Sequence, residues 1–219
     1  MTSPAAPAIQ IPNLRVPYIT SWSVERISGD VLFKPHAEVA GLRLTYPDPV
    51  STDWMFGVLW VRQALAPQLG RPEWNAVHAL RQRRVMLRKL CQVCNQTAVD
   101  EETDRIWWVL AEELSEFGTN APPTCRACIP DALVSCPRLR RSAAVYTVGD
   151  YEPSAVLANL YRPGPLGPVL KQESVEVPLD AFLDLEWALA TQLIVTLHDV
   201  RQEEIPDLDP VQRPGAQRS

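Results

Sequence analysis

Histidine is scarce in this sequence: among 219 residues only His36, His78 and His198 occur. His36 falls in an expected turn, His78 near the start of an expected basic helix, and His198 beside Asp199 at the end of the last expected helix. Single, separated histidines read as structural or solvated residues rather than as general acids or bases. No G-x-S-x-G elbow supports a serine nucleophile. Nucleotide phosphate has no motif behind it, since both G-x-x-x-x-G-K-[ST] and G-x-G-x-x-G are missing. Long apolar runs are missing too. The longest, around Ile106 to Leu110 and Leu193 to Leu197, fall far short of the ~20 residues that cross a bilayer. The opening Met-Thr-Ser-Pro-Ala-Ala-Pro-Ala has no basic segment followed by an apolar stretch, so a secretory signal is not expected and a cytoplasmic setting is.

Cysteine is not abundant either, but four of the five are set in pairs: Cys91-Gln-Val-Cys94 and Cys125-Arg-Ala-Cys128, with 30 residues between them. A C-x-x-C turn aims two thiolates at one metal, and two such turns complete a tetrahedral site. Cys91, Cys94, Cys125 and Cys128 are therefore the expected ligands of one structural zinc ion, and a site closed by four thiolates leaves no position for a reacting water. A thioredoxin-like redox pair needs only one C-x-x-C. Disulfides belong to small secreted chains. Both remain the alternatives to zinc. Cys136 reads as a small apolar residue rather than a fifth ligand.

A net charge of -5 argues against a generally basic coat for nucleic acid. The positive charges are nevertheless gathered around the cysteines. Arg81, Arg83, Arg84, Arg88 and Lys89 lead into the first pair, and Arg138, Arg140 and Arg141 follow the second. These eight residues form the candidate contact surface for nucleic acid or an acidic protein. The plainer reading is a solvated helix face, with Val85, Met86 and Leu90 toward a core and Arg81, Arg84 and Arg88 along the outside. Asp100, Glu101, Glu102 and Asp104, with Glu112, Glu113 and Glu116 further on, read as solvated surface rather than a cation site.

Residues 1–17 carry Pro4, Pro7, Pro12 and Pro17 and are expected to form an extended arm. Residues 18–205 are expected to fold as one α+β domain containing the zinc module at about 85–141, with 206–219 a disordered tail. Val31 to Phe33, Leu42 to Tyr46, Met55 to Val61 and Arg105 to Leu110 read as strands of an antiparallel sheet. Helices are expected from about Asn75 to Lys89, from the second cysteine pair onward with Pro130 near the first turn and Ala132, Leu133 and Cys136 as the apolar stripe, and briefly around Ser154 to Tyr161. Pro163 to Pro168 reads as a loop. Leu179, Phe182, Leu183, Trp187, Ala190, Leu193, Ile194 and Leu197 recur at helical spacing and predict a long amphipathic helix from Asp180 to Glu203. A knuckle, a strand or hairpin, then a knuckle that opens a helix is the order of a treble clef, with a zinc ribbon as the alternative.

The stretch from Leu14 through Leu170 resembles a family of uncharacterised actinobacterial proteins. The likeness rests on Asn13-Leu-Arg-Val-Pro-Tyr, Gly57-Val-Leu-Trp-Val-Arg, Leu80-Arg-Gln-Arg-Arg, the two cysteine pairs, Cys136-Pro-Arg-Leu-Arg140 and Leu160-Tyr-Arg-Pro-Gly. That resemblance implies a bacterial cytoplasmic protein and carries no assigned reaction or ligand. The first knuckle also resembles the start of HNH nucleases, but the histidines that such a module presents to its catalytic metal are not found between the knuckles here. The expectation is thus a zinc-stabilised regulatory or adaptor protein that binds nucleic acid or a protein and has no catalytic residues. A degenerate HNH-like nuclease or an enzyme accessory subunit is the alternative.

Overall fold

The computed structural model describes residues 15–36, 41–110, 118–136 and 138–204. The first half of the described chain is built from short strands: β1 (Thr20–Trp22), β2 (Ile27–Ser28), β3 (Leu32–His36), β4 (Gly41–Thr45), β5 (Trp54–Met55), β6 (Val58–Trp60), β7 (Arg62–Gln63) and β8 (Pro72–Val77). Helix α1 (Ala79–Leu87) follows, then β9 (Ile106–Leu110), α2 (Ile129–Ser135) and β10 (Ala144–Val148). The second half is dominated by two long strands, β11 (Asp150–Gly164) and β12 (Gly167–Pro178). One helical turn, α3 (Phe182–Leu185), leads into β13 (Ala188–His198) and β14 (Arg201–Glu203).

The architecture is mixed and sheet-rich. A five-stranded sheet has the order β12-β11-β13-β6-β5, and a three-stranded sheet the order β14-β10-β9. Pairing is antiparallel throughout the five-stranded sheet except between β13 and β6. Strands are found where expected at 32–36, 41–45 and 106–110, whereas the strand expected from Met55 to Val61 is the hairpin of β5 and β6, turning at Phe56 and Gly57; the second cysteine pair opens α2 with Pro130 in its first turn.

Three further expectations are corrected. The long helix from Asp180 to Glu203 is not formed: α3 stops after one turn and β13 takes its place. β13 lies inside its sheet, and Ala188, Leu189, Ala190, Leu193, Ile194 and Val195 are all buried. A strand covered on both faces is apolar nearly throughout, so a helical period can be picked out of it by chance. The β-branched Thr191, Ile194, Val195 and Thr196 favour the extended form. Phe182 and Leu183, two members of the supposed apolar stripe, are in fact exposed.

The short helix at Ser154 to Tyr161 is likewise part of β11, which pairs along both edges with β12 and β13. Pro153 is accommodated at a shift of register against β13, where a missing amide donor is tolerated. Pro163 to Pro168 closes the β11–β12 hairpin, with pairing retained up to Gly164 and Gly167. Finally, α1 begins four residues later than expected because residues 72–77 extend as β8. His78 is its N-cap, its Nδ1 accepting from the Arg81 amide.

The main buried cluster runs from Val58 to Val195 and includes Met86, Trp108, Ile129, Val145, Val156 and Leu193, together with Cys91 and Cys128. Helix α1 is fixed against β13 by Gln82. Its amide donates to the Leu193 carbonyl at 2.8 Å and accepts from the Leu193 amide at 3.0 Å, in effect pairing with the strand where β6 has ended. The expected arm at 1–17 and the expected tail at 206–219 lie almost entirely outside the described residues.

Candidate metal centre and the basic residues around it

The first cysteine pair sits on a tight turn. Leu90 and Thr97 form an antiparallel bridge, the Cys91 amide donates to Gln96 O at 2.7 Å, and Asn95 takes a positive φ of 60° to close the loop. Asparagine tolerates that left-handed conformation better than most residues. The chain then runs through a hairpin in which Val99 bridges Ile106, with the Asp100 carboxylate gathering the turn by accepting from the Glu102 and Thr103 amides and from Trp107 Nε1. The acidic run beginning at Asp100 is thus turn structure, while Glu112, Glu113 and Glu116 lie outside the described residues.

Gln92, inside the first pair, ties it to the second. Its amide nitrogen donates to Pro122 O and Thr124 Oγ1, and its backbone amide to Pro123 O. Cys125 follows at once. The segment Arg126 to Cys128 forms a 3-10 turn that passes directly into α2. The result is a group in which one sulfur from each of Cys91, Cys94, Cys125 and Cys128 lies within 4.8 Å of the others. Cys94 and Cys125 Sγ are 3.7 Å apart, and the Val93 amide donates to Cys91 Sγ at 3.4 Å. All four are free thiols rather than disulfides, so the group could hold one metal ion.

Electrostatics favour a cation in that place. A hydrogen bond from Cys125 holds Cys91 well below the ordinary thiol range, and the same bond, with burial, pushes Cys125 up. Burial, followed by the charge at Cys91, also raises Cys128. Crowded together, the sulfurs do not all ionise alone, whereas a divalent cation stabilises four thiolates at once. Cys136 is half-buried at the C-terminal end of α2 and stands outside the group.

The eight basic residues do not share one surface. Arg81 is the plain correction: only 1% exposed, it faces inward and grips Glu25, with Nη1 to Oε1 at 2.7 Å and Nη2 to Oε2 at 2.6 Å. Its Nη2 also donates to Thr20 O. The reason is positional. Arg81 and Gln82 stand four residues before Val85 and Met86, so all four share the buried face of α1. Arg83 is half-buried, its guanidinium carbon 4.2 Å from the Trp60 ring centroid. Lys89 pairs with Asp150 at 2.9 Å. Arg84, Arg88, Arg138, Arg140 and Arg141 are exposed, and among the described residues none of them forms a side-chain ion pair.

None of the histidines joins the sulfurs. His36 lies against Arg43 and Glu186, His78 is fully buried with Nε2 3.0 Å from Ala64 O, and His198 pairs with Glu152 at 3.3 Å. Burial holds His78 below the usual histidine range, as suits a neutral N-cap. Sequence reasoning missed Glu25, the partner of Arg81, which lies 56 residues away along the chain. It also missed Gln82 and Gln92. The inward position of Gln82 could have been read from the spacing to Met86, but nothing local marks Glu25 or Gln92.

Comparison with protein-family models, with curated proteins and with solved structures gives no match. What the chain does has to be argued from its own geometry.

Proposed function

We propose that this chain is a non-catalytic, zinc-stabilised binding protein with a regulatory or adaptor role in a bacterial cytoplasm. The observation that carries the reading is the closed set of four cysteine sulfurs. Zinc–sulfur bonds of about 2.3 Å in a tetrahedron space the sulfurs about 3.8 Å apart, and Cys94 and Cys125 stand 3.7 Å apart. Four thiolates fill the tetrahedron, which suits a structural ion and leaves no place for an activated water. A knuckle at 90–97, a hairpin at 98–107 and a second pair opening α2 support the treble-clef reading over a zinc ribbon, whose second knuckle does not begin a helix.

The partner surface is the exposed remainder of the basic residues: Arg84 on α1 and Arg88 at its C-terminal cap, with Arg138, Arg140 and Arg141 after α2. Exposed, and without an ion pair among the described residues, their planar forks suit phosphate or carboxylate groups, on nucleic acid or on an acidic protein. The degenerate-nuclease alternative gains nothing from His36, His78 or His198, each of which is engaged elsewhere.

The double variant Arg84→Glu, Arg88→Glu tests the reading. Binding to polyanionic partners, measured by titration at low salt, is expected to fall at least about tenfold. Zinc content and far-ultraviolet circular dichroism should stay at wild-type values. Wild-type binding should also weaken steeply with salt, since phosphate contacts release counterions. Unchanged affinity in the double variant would remove α1 from the contact surface. Metal-dependent cleavage of DNA by the purified protein would overturn the non-catalytic reading.

A further inference from the structure

Apart from the sulfur group, a cleft of about 730 Å³ opens between the segment Ser51 to Met55 and the start of α1. Trp54, Trp60, Leu80 and Arg83 are among its lining residues, together with Ser51 and Thr52. Trp60 is almost wholly buried, its Nε1 donating to Met55 O, so it is a fixed surface rather than a mobile lid. Over it lies the Arg83 guanidinium at 4.2 Å, a stacking distance.

Arg83 is unusual in this protein. Arg43, Arg62, Arg81 and Arg105 all meet a carboxylate when withdrawn from water: Glu186, Asp53, Glu25 and Asp199 respectively. Half-buried Arg83 has no carboxylate and no hydrogen-bond acceptor among the described residues. The nearby acid of the cleft, Asp53, is already held by two hydrogen bonds from Arg62. Burial lowers the affinity of Arg83 for its proton with no neighbouring acid to offset it. A partly desolvated cation without a counter-charge costs stability, and such local costs are characteristic of sites that await a ligand.

We infer that this cleft is a binding site for a small organic oxyanion, its carboxylate or phosphoryl oxygens on the Arg83 fork and its apolar body against Trp54 and Leu80. The anion supplies the missing counter-charge. The planar guanidinium offers two parallel donors to such a group while keeping its stacking on Trp60. The hydroxyls of Ser51 and Thr52, which line the cleft, can complete the polar side. This site is independent of the cysteine group and of the exposed arginines proposed above, so neither reading depends on the other.

The test uses the full chain with three probes at constant ionic strength: benzoate, inorganic phosphate and uncharged benzamide. Benzoate is expected to raise the thermal midpoint and to shift the Arg83 Nε–H and Trp60 Nε1–H resonances. Phosphate should do so more weakly, lacking the apolar body, and benzamide not at all. In Arg83→Gln, benzoate binding is expected to weaken at least about tenfold, the loss of one charge-assisted contact, while Lys171→Gln, at an exposed position of β12, binds as wild type does. Without any anion, Arg83→Gln should melt at or above the wild-type temperature, because the unpaired charge is gone. Three results would each overturn the inference. These are an Arg83 resonance in wild type that benzoate does not move, an equal response to benzamide, and equal benzoate binding by Arg83→Gln. A fall in the anion-free midpoint of Arg83→Gln would also count against it, showing the stacked arginine to be structural cement.

Discussion

Replacing Cys94 by serine is expected to abolish stoichiometric metal binding and to unfold the region from about Cys91 to Cys136. Freshly purified, reduced wild-type protein should contain one zinc per chain, and the variant close to none. The effect is large because the ion's binding free energy is also the folding free energy of the segments it joins, on the order of 10 kcal/mol for structural zinc at neutral pH. The ion would join what is otherwise held by backbone contacts and packing: the Leu90–Thr97 bridge, the left-handed Asn95, the hydrogen bonds of Gln92, and the Tyr18 and Ile19 amides that donate to Val93 O and Gln92 O. The damage should spread, since Cys91, Val93, Cys128, Ile129 and Leu133 belong to the main core cluster with Trp108 and Leu193. Hydrogen exchange and the near-ultraviolet signal of the tryptophans report both stages. Cys136→Ser, by contrast, should keep its zinc. Native exchange protection at Cys91 to Ala98 in fully demetallated, reduced protein would refute the structural role.

Substituting Arg81 has the second largest expected effect. Arg81→Ala leaves the Glu25 carboxylate buried without its charged partner, a change that costs about 3–5 kcal/mol. Denaturant unfolding should show it as a lowered midpoint. Arg81→Glu places two carboxylates together and is expected not to fold at neutral pH. Glu25 also gives a pH signature. Burial would raise its affinity for a proton, but the Arg81 guanidinium and the amides of Trp22 and Ala66 outweigh burial and hold it below the usual range. With a folded value below an unfolded one of about 4.3, the carboxylate adds stability at neutral pH. That contribution is lost as pH falls through the folded value, and Arg81→Ala should flatten this acid limb.

These two outcomes separate what was legible in the chain from what was not. The four-cysteine group was legible because a C-x-x-C turn is local: two residues between thiols set their spacing, and only the meeting of the two turns needed the fold. Several strands were legible from β-branched and aromatic runs between proline and glycine breaks, and α2 from Pro130 just beyond the second pair. Arg81 was misplaced because residue type was read before position. A helix face is defined by spacing, and an arginine on the buried face stays there if a distant carboxylate meets it.

The segment Asp180 to Glu203 was misread for a related reason. Its apolar residues satisfy a helical period, but the neighbours of β13 in the sheet decide its form, and they come from β11, about 40 residues upstream, and β6, well over 100 upstream. By itself the sequence determined the chemistry available in this protein: four thiols in two turns, a surplus of arginine around them, and three histidines far apart along the chain. Tertiary structure alone decided which arginines face solvent, which one meets Glu25, which one lies over Trp60, and that the last apolar stretch is a strand. Burial and long-range pairing are properties of the assembled chain, and their free energies exceed the local preferences that a sequence displays.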